Sequence, residues 1–156
     1  MEEPITTYLE ESMSLSLVRL CKVFRQQEEA WCQDIGLHTG QELAIFRLLE
    51  EDGLSQSQLA TRLGVEIGTV AKTVQRMEKE GLLIRRQDAE DARISRVYLT
   101  EKGRSLGEPA LHIWKDLDAR LVQGMSQAEQ LLFRRLLVQA AANFSRSPFS
   151  LSDEHP

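Results

Sequence analysis

Cysteine is nearly absent from this chain: Cys21 and Cys32 are the only two among 156 residues. Two thiols cannot build the multi-bridge framework of a small secreted domain. If both lie on one helix, eleven positions of separation set them roughly 16 Å apart along the axis, too far for an intrachain bridge. They read as reduced packing residues, with thiol-based redox sensing as an alternative role. Histidine is equally sparse. His38, His112 and His155 stand far apart, with no cysteine partner at metal-ligand spacing, so no metal and no cofactor is expected. Neither a glycine-rich phosphate loop nor a nucleophile motif occurs, so the chain does not read as an enzyme. No apolar run approaches a membrane span; the longest stretch near the middle is Leu82-Leu83-Ile84. Met1-Glu2-Glu3-Pro4 is acidic, where a secretory signal starts basic and turns apolar, so the expected location is cytoplasmic.

What the chain does have is 42% hydrophobic and 28% charged residues, the balance of a soluble globular protein. Its net charge of −5 runs against nucleic-acid binding, but the distribution does not. Residues 62–104 hold ten bases against seven acids, a local +3, which leaves −8 for the remainder. A basic middle between acidic ends is the kind of asymmetry that matters for a polyanionic partner.

Periodicity divides the chain. Residues 1–12 are a polar arm. From Met13 to Ile35, the residues Leu17, Leu20, Cys21, Phe24, Trp31 and Ile35 recur at helical spacing and predict a long first helix. Gly36 stops it, and Thr39 is a candidate cap for a second helix carrying Leu43, Phe46 and Leu49. Ser55-Gln56-Ser57-Gln58 fits a capping box opening a short third helix with Leu59, Ala60 and Leu63, closed by Gly64. A fourth helix follows from Glu66 to Glu80, stopped by Gly81. Two short helices joined at a glycine make a helix-turn-helix.

Beyond Gly81 the period shortens. Leu82–Arg86 and Arg96–Leu99 read as strands around a polar tip, Gln87–Arg93. Thr100 caps a fifth helix reaching to about Gly124, with Leu106, Ala110, Ile113, Leu117 and Leu121 as its seam and a kink near Gly107–Pro109. Ser126-Gln127-Ala128-Glu129 is a second capping box. The sixth helix it opens carries Leu132, Phe133, Leu136, Leu137, Ala140 and Phe144 as a wide stripe. Residues 146–156 form a polar tail. The fold class is mainly α with a small β-hairpin wing: a winged helix-turn-helix lobe plus helices of a separate, dimerising kind.

On the fourth helix Val70, Val74 and Met77 fall at i, i+4 and i+7 and face the core. The opposite side presents Thr69, Lys72, Thr73 and Arg76, small hydroxyls and two cations with no bulky apolar group between them. Such a face fits the major groove of duplex DNA, where hydroxyls meet base edges and cations meet phosphate or guanine.

The residues that follow make a more specific match. Arg86, Asp88, Asp91, Arg93, Val97, Leu99, Thr100 and Gly103, together with Leu63-Gly64-Val65, Thr69-Val70 and Met77-Glu78-Lys79-Glu80-Gly81-Leu82, resemble the MarR family of regulators over nearly the whole chain. The resemblance implies one domain over residues 13–145. Within it, 40–100 would be the winged helix-turn-helix, and 13–37 and 101–145 the helices of an obligate homodimer. It implies that Arg93 enters the minor groove at the wing tip with Asp91 holding its guanidinium, with Arg86 and Arg96 as further cations of the wing. A narrow minor groove concentrates negative potential, which suits an inserted arginine. The partner implied is double-stranded DNA bearing a palindromic operator. The family also implies repression, relieved by a small aromatic or phenolic effector, for which Trp31 and His38 are the candidate contacts here. Glu66 and Gly68 depart from the serine and proline frequent in the family at those places. The competing class is a winged-helix protein-interaction module that does not bind DNA.

Overall fold

The apolar periods resolve into eight helices and three short strands among the described residues, which are 5–91 and 93–146 of this computed structural model. The polar arm carries a helix, α1 (Ile5–Glu11). The long helix α2 (Met13–Asp34) starts where the Ser12 hydroxyl accepts the Leu15 amide at 3.1 Å, satisfying one of the orphan donors of the first turn. It ends before Gly36, whose φ of 75° suits a glycine.

Thr39 does not cap the next helix, α3 (Gln41–Glu50). Gly40 holds that position at φ 91°, and acceptors come from inside the helix. The Glu42 carboxylate accepts the Gly40 amide at 2.8 Å, and Gln41 Oε1 accepts the His38 amide at 2.9 Å. The buried stripe of α3 is Gln41, Ala44, Ile45 and Leu48, while Leu43 and Phe46 are half-buried and Leu49 is exposed. Of the predicted trio, Phe46 packs against the core from its edge, and Leu49 lies beside Gly107.

A strand that the sequence did not announce, β1 (Leu54–Ser55), leads into α4 (Gln56–Leu63). The capping box forms in both directions, with Ser55 Oγ accepting from Gln58 N at 3.2 Å and Gln58 Oε1 accepting from Ser55 N at 2.9 Å. After Gly64, at φ 66°, comes α5 (Ile67–Lys79). β2 (Leu83–Gln87) and β3 (Ser95–Leu99) follow, then α6 (Glu101–Ser105), α7 (Gly107–Leu121) and α8 (Gln127–Arg146).

The sheet is antiparallel in the order β1-β3-β2, with Leu54 opposite Val97 and Leu83 opposite Leu99. Two residues suffice for β1 because they dock the start of the helix-turn-helix onto the wing. The core gathers apolar side chains from α3, α4, α5 and all three strands: Leu48, Leu54, Leu59, Val74, Met77, Leu83 and Val97 are at most 1% exposed. Each such burial contributes about 1.5–3 kcal/mol. The expected kink is a full break. α6 stops at Leu106 and α7 restarts at Gly107, placing Pro109 in a first turn where a missing N–H costs nothing.

The chain divides after Leu117 into two units. The second consists of the end of α7, a turn through Gly124 at φ 86°, and α8. Ser126 and Glu129 form the second capping box, at 2.8 Å one way and 3.4 Å the other. None of residues 127–144 of α8 is buried, and its stripe of Leu132, Leu136, Leu137 and Phe144 lies open. Residues 147–156 of the expected tail lie outside the described residues.

Candidate nucleic-acid interface

The character of α5 follows from its buried edge. Val70, Val74 and Met77 are 0–1% exposed, so at 100° per residue the opposite arc must face outward. Thr69, Lys72 and Arg76 are exposed as expected. Thr73 is half-buried, and its hydroxyl donates to the Thr69 carbonyl at 3.1 Å. Gln75 and Lys79 complete the exposed arc. Neither was singled out from the sequence, although the same 100° count places both there. An amide at Gln75 is a group able to make two hydrogen bonds to the major-groove edge of adenine.

The N-terminus of α5 differs from the expectation of a face without bulky apolar groups. Ile67 is 52% exposed at its first position and Val65 43% exposed just before it. Glu66 occupies the N-cap with no side-chain cap bond, and a Cβ on Gly68 would meet nothing within 4 Å. The backbone there is open to a close approach.

The wing tip is organised by two aspartates. Asp88 Oδ1 accepts the amides of Glu90 at 2.9 Å and Asp91 at 3.0 Å, and its other oxygen binds the Arg96 guanidinium. The Arg96 pairing and these amides pull the Asp88 carboxyl down to about 2. Asp91 in turn accepts the Arg93 amide at 3.0 Å and its Nε at 3.1 Å. The Arg93 guanidinium holds the Asp91 carboxyl below its ordinary range. Both acids are therefore ionised at neutral pH and fix the loop around a charged pair.

The three wing arginines have separate environments. Arg93 projects with its side chain 92% exposed. Arg86 is exposed and lies over the Tyr98 ring at 5.4 Å, a cation–π contact. Arg96 is turned inward, bound to Asp88 and donating to the Gly53 carbonyl at 3.0 Å. Of the candidates, then, Arg96 braces the wing from within rather than standing on its face.

The two effector candidates are not brought together. Trp31 is half-buried on α2. His38 lies on the α2–α3 connection, lining a cavity with Thr39, Gln41, Lys72, Thr73 and Arg76 that Trp31 does not reach.

Cys32 is fully buried, and burial with the neighbouring acids pushes its thiol up to about 12; Cys21 is exposed. Among the described residues no group of His, Cys, Asp and Glu is arranged to hold a metal ion, and no helix is long and apolar enough to cross a membrane.

A helix-turn-helix whose second helix turns cations outward, followed by a hairpin tipped with a carboxylate-held arginine, defines a winged helix-turn-helix protein. Residues 39–95 match the MarR family model. Over 120 residues the chain is 29% identical to the transcriptional regulator HosA of Escherichia coli O127:H6, covering 76% of this chain and 89% of that protein. The fold is that of Staphylococcus aureus MepR in its DNA complex, with TM-score 0.79, 22% identity, and 85% and 98% of the two chains covered. It is also that of Bordetella bronchiseptica BpsR, whose DNA binding is regulated by 6-hydroxynicotinic acid, with TM-score 0.77, 21% identity, and 84% and 94% covered. Residues 39–95 are thus a MarR-family domain, and over three quarters of its length the chain is similar to a known transcriptional regulator.

Proposed function

We propose that this protein is a dimeric, sequence-specific repressor that binds a palindromic operator in duplex DNA and is released by a small aromatic or phenolic effector. In this reading α5 enters the major groove with Thr69, Lys72, Thr73 and Arg76, and the wing sets Arg93 into the minor groove with Arg86 beside it. The observation that carries it is the Asp91–Arg93 pair. Arg93 is almost wholly exposed yet held at 3.1 Å by its neighbour, so less side-chain entropy is lost when it docks. Residues 40–100 then form the DNA-reading lobe, and residues 13–37 and 101–145 supply the dimer helices. The dimer is supported by exposed apolar residues on outer helices, Leu17, Val18 and Val23 on α2 and Leu132, Leu136 and Phe144 on α8, a surface that a lone chain has no use for. The effector is read by analogy with BpsR, whose DNA binding 6-hydroxynicotinic acid regulates. Catalysis plays no part in the mechanism. The thiol alternative gains nothing from Cys32, since a buried thiol with a raised pKa is a poor nucleophile.

The test is binding of the purified chain to duplex DNA as salt is raised. Affinity should fall steeply, by about one log-slope unit per phosphate contact. Arg93→Ala should weaken binding and leave the oligomer folded. An interaction module would show neither effect, and wild-type affinity in the Arg93→Ala protein would remove the wing from the mechanism.

A further inference from the structure

The cavity beside α5 brings together groups that the sequence assigned to different tasks. It measures about 190 Å³ and is lined by His38, Thr39, Gln41, Lys72, Thr73 and Arg76, room for roughly six waters at about 30 Å³ each. Its lining has two fixed cations, an imidazole and two hydroxyl groups, and no carboxylate. Lys72 and Arg76 make no ion pair or hydrogen bond through their side chains among the described residues. The carboxylate of Glu80, which adjoins the lining through Gln41 and His38, is already engaged. One of its oxygens accepts from Gln41 Nε2 at 2.8 Å, and the other lies 3.6 Å from His38 Nε2.

The two walls of the cavity have different origins. Lys72, Thr73 and Arg76 come from α5, while His38 and Thr39 come from the connection between α2 and α3. That connection is held firmly. Gln41 is 1% exposed; its amide oxygen accepts from the His38 backbone at 2.9 Å while its nitrogen donates to Glu80 at the end of α5. The far end of α5 is tied again by the Lys102 ammonium on the Glu80 carbonyl at 2.8 Å. A pocket of unpaired cations between two braced elements is a built place for an oxyanion.

We infer that this cavity seats one phosphodiester of the bound duplex, gripped by Lys72 and Arg76 from α5 and by His38 and Thr39 from the α2–α3 connection. The inference rests on the DNA-binding reading above and extends it to two residues outside the helix-turn-helix and wing. It gives the α2–α3 connection a direct hold on the DNA backbone, so the clamp fixes register while the outer arc of α5 reads bases. Free inorganic phosphate offers the same chemistry, and the experiment separates the two sources.

In the first arm, inorganic phosphate is titrated into the full chain against chloride at matched ionic strength, following the His38 imidazole signals by NMR. Phosphate-specific shifts that vanish in Lys72→Gln are expected. In the second arm, binding to a duplex selected by the wild-type protein is measured for wild type, His38→Ala and Lys72→Gln. Each variant should lose about tenfold in affinity, and Lys72→Gln should lower the salt slope by about one. Neutral methylphosphonate placed at successive positions should weaken wild type at one position in each half-site, with little further effect on either variant there. Both variants binding like wild type, while Arg93→Ala does not, would overturn the clamp and leave the DNA reading intact. Phosphate shifts without any effect on duplex binding would equally overturn it, assigning the cavity to a free anion. A wild-type chain that selects no duplex at all would bring down the DNA reading and the clamp with it.

Discussion

Arg93 and Arg96 lie three positions apart on the wing, and their carboxylate partners give them opposite tasks. Asp88 draws Arg96 inward against the Gly53 carbonyl, while Asp91 steadies Arg93 in the open. A charge count cannot tell the two apart; the turn geometry set by Asp88 does. The other residue-scale feature of note is a buried acid. Glu42 is 0% exposed, with one oxygen on the Gly40 amide and the other without a hydrogen-bond partner among the described residues. Burial, reinforced by the nearby Glu28 carboxyl, lifts its pKa from 4.5 to about 7. Folded protein therefore keeps this proton over a range in which the unfolded chain has lost it. The resulting stability is fully present below about pH 4.5 and is lost as pH rises through about 7. At about 1.4 kcal/mol per pKa unit the whole effect is about 3 kcal/mol or less. Thermal unfolding of the wild type should move down by several degrees between pH 5 and pH 8, and Glu42→Gln should flatten that slope. An unchanged slope in the variant would show that the acid is solvated in the folded protein.

At the scale of elements, the two capping boxes and the Thr100 cap are legible in the local sequence, whereas the Thr39 cap fails and longer-range packing leaves no local signal. Both capping boxes form at the residues that announce them, and Thr100 caps α6 by accepting the Gly103 amide at 3.1 Å. Gly103 shows what lies beyond such signals. A Cβ there would meet the Leu82 carbonyl oxygen at 2.0 Å, whereas at Gly107 it would meet Leu49 Cδ1 at 2.4 Å. The first neighbour is backbone and cannot yield; the second is the free end of a leucine. Gly103→Ala should therefore cost more than Gly107→Ala, by about 1–3 kcal/mol for a forced overpacking, with a lower melting temperature by calorimetry. Equal melting temperatures would mean that the α6–wing contact gives way easily. Nothing in the local sequence announces that contact, because Leu82 and Gly103 meet only through the tertiary fold. For the same reason β1 escaped notice: two residues carry no period, and Leu54–Ser55 become a strand only by pairing with Val97 and Arg96. The buried face of α3 and the inward turn of Arg96 belong to the same class. In the candidate interface, Val70, Val74 and Met77 were legible because three buried residues fix the roll of a helix. The meeting of His38 with Lys72 and Arg76 was not, since it joins a loop to a helix more than thirty positions away.

For the whole molecule, the charge pattern and the exposed apolar faces point to two kinds of partner. The basic middle within an acidic chain suits a polyanion, and the open stripes of α2 and α8 suit a second copy. Leu136 is 46% exposed on α8 and falls within the proposed seam. Leu136→Asp should split the dimer, because an unpaired carboxylate in a buried interface costs several kcal/mol. Light scattering reads the outcome, and a folded dimer of unchanged mass would place the seam elsewhere. The central claim, a dimer that reads a symmetric sequence, is tested most directly by selecting bound duplexes from a random DNA pool with the purified chain at moderate salt. The account predicts enrichment of an inverted repeat with half-site centres about one helical turn apart. A pool that remains random after reduction of the protein and removal of small ligands would contradict it.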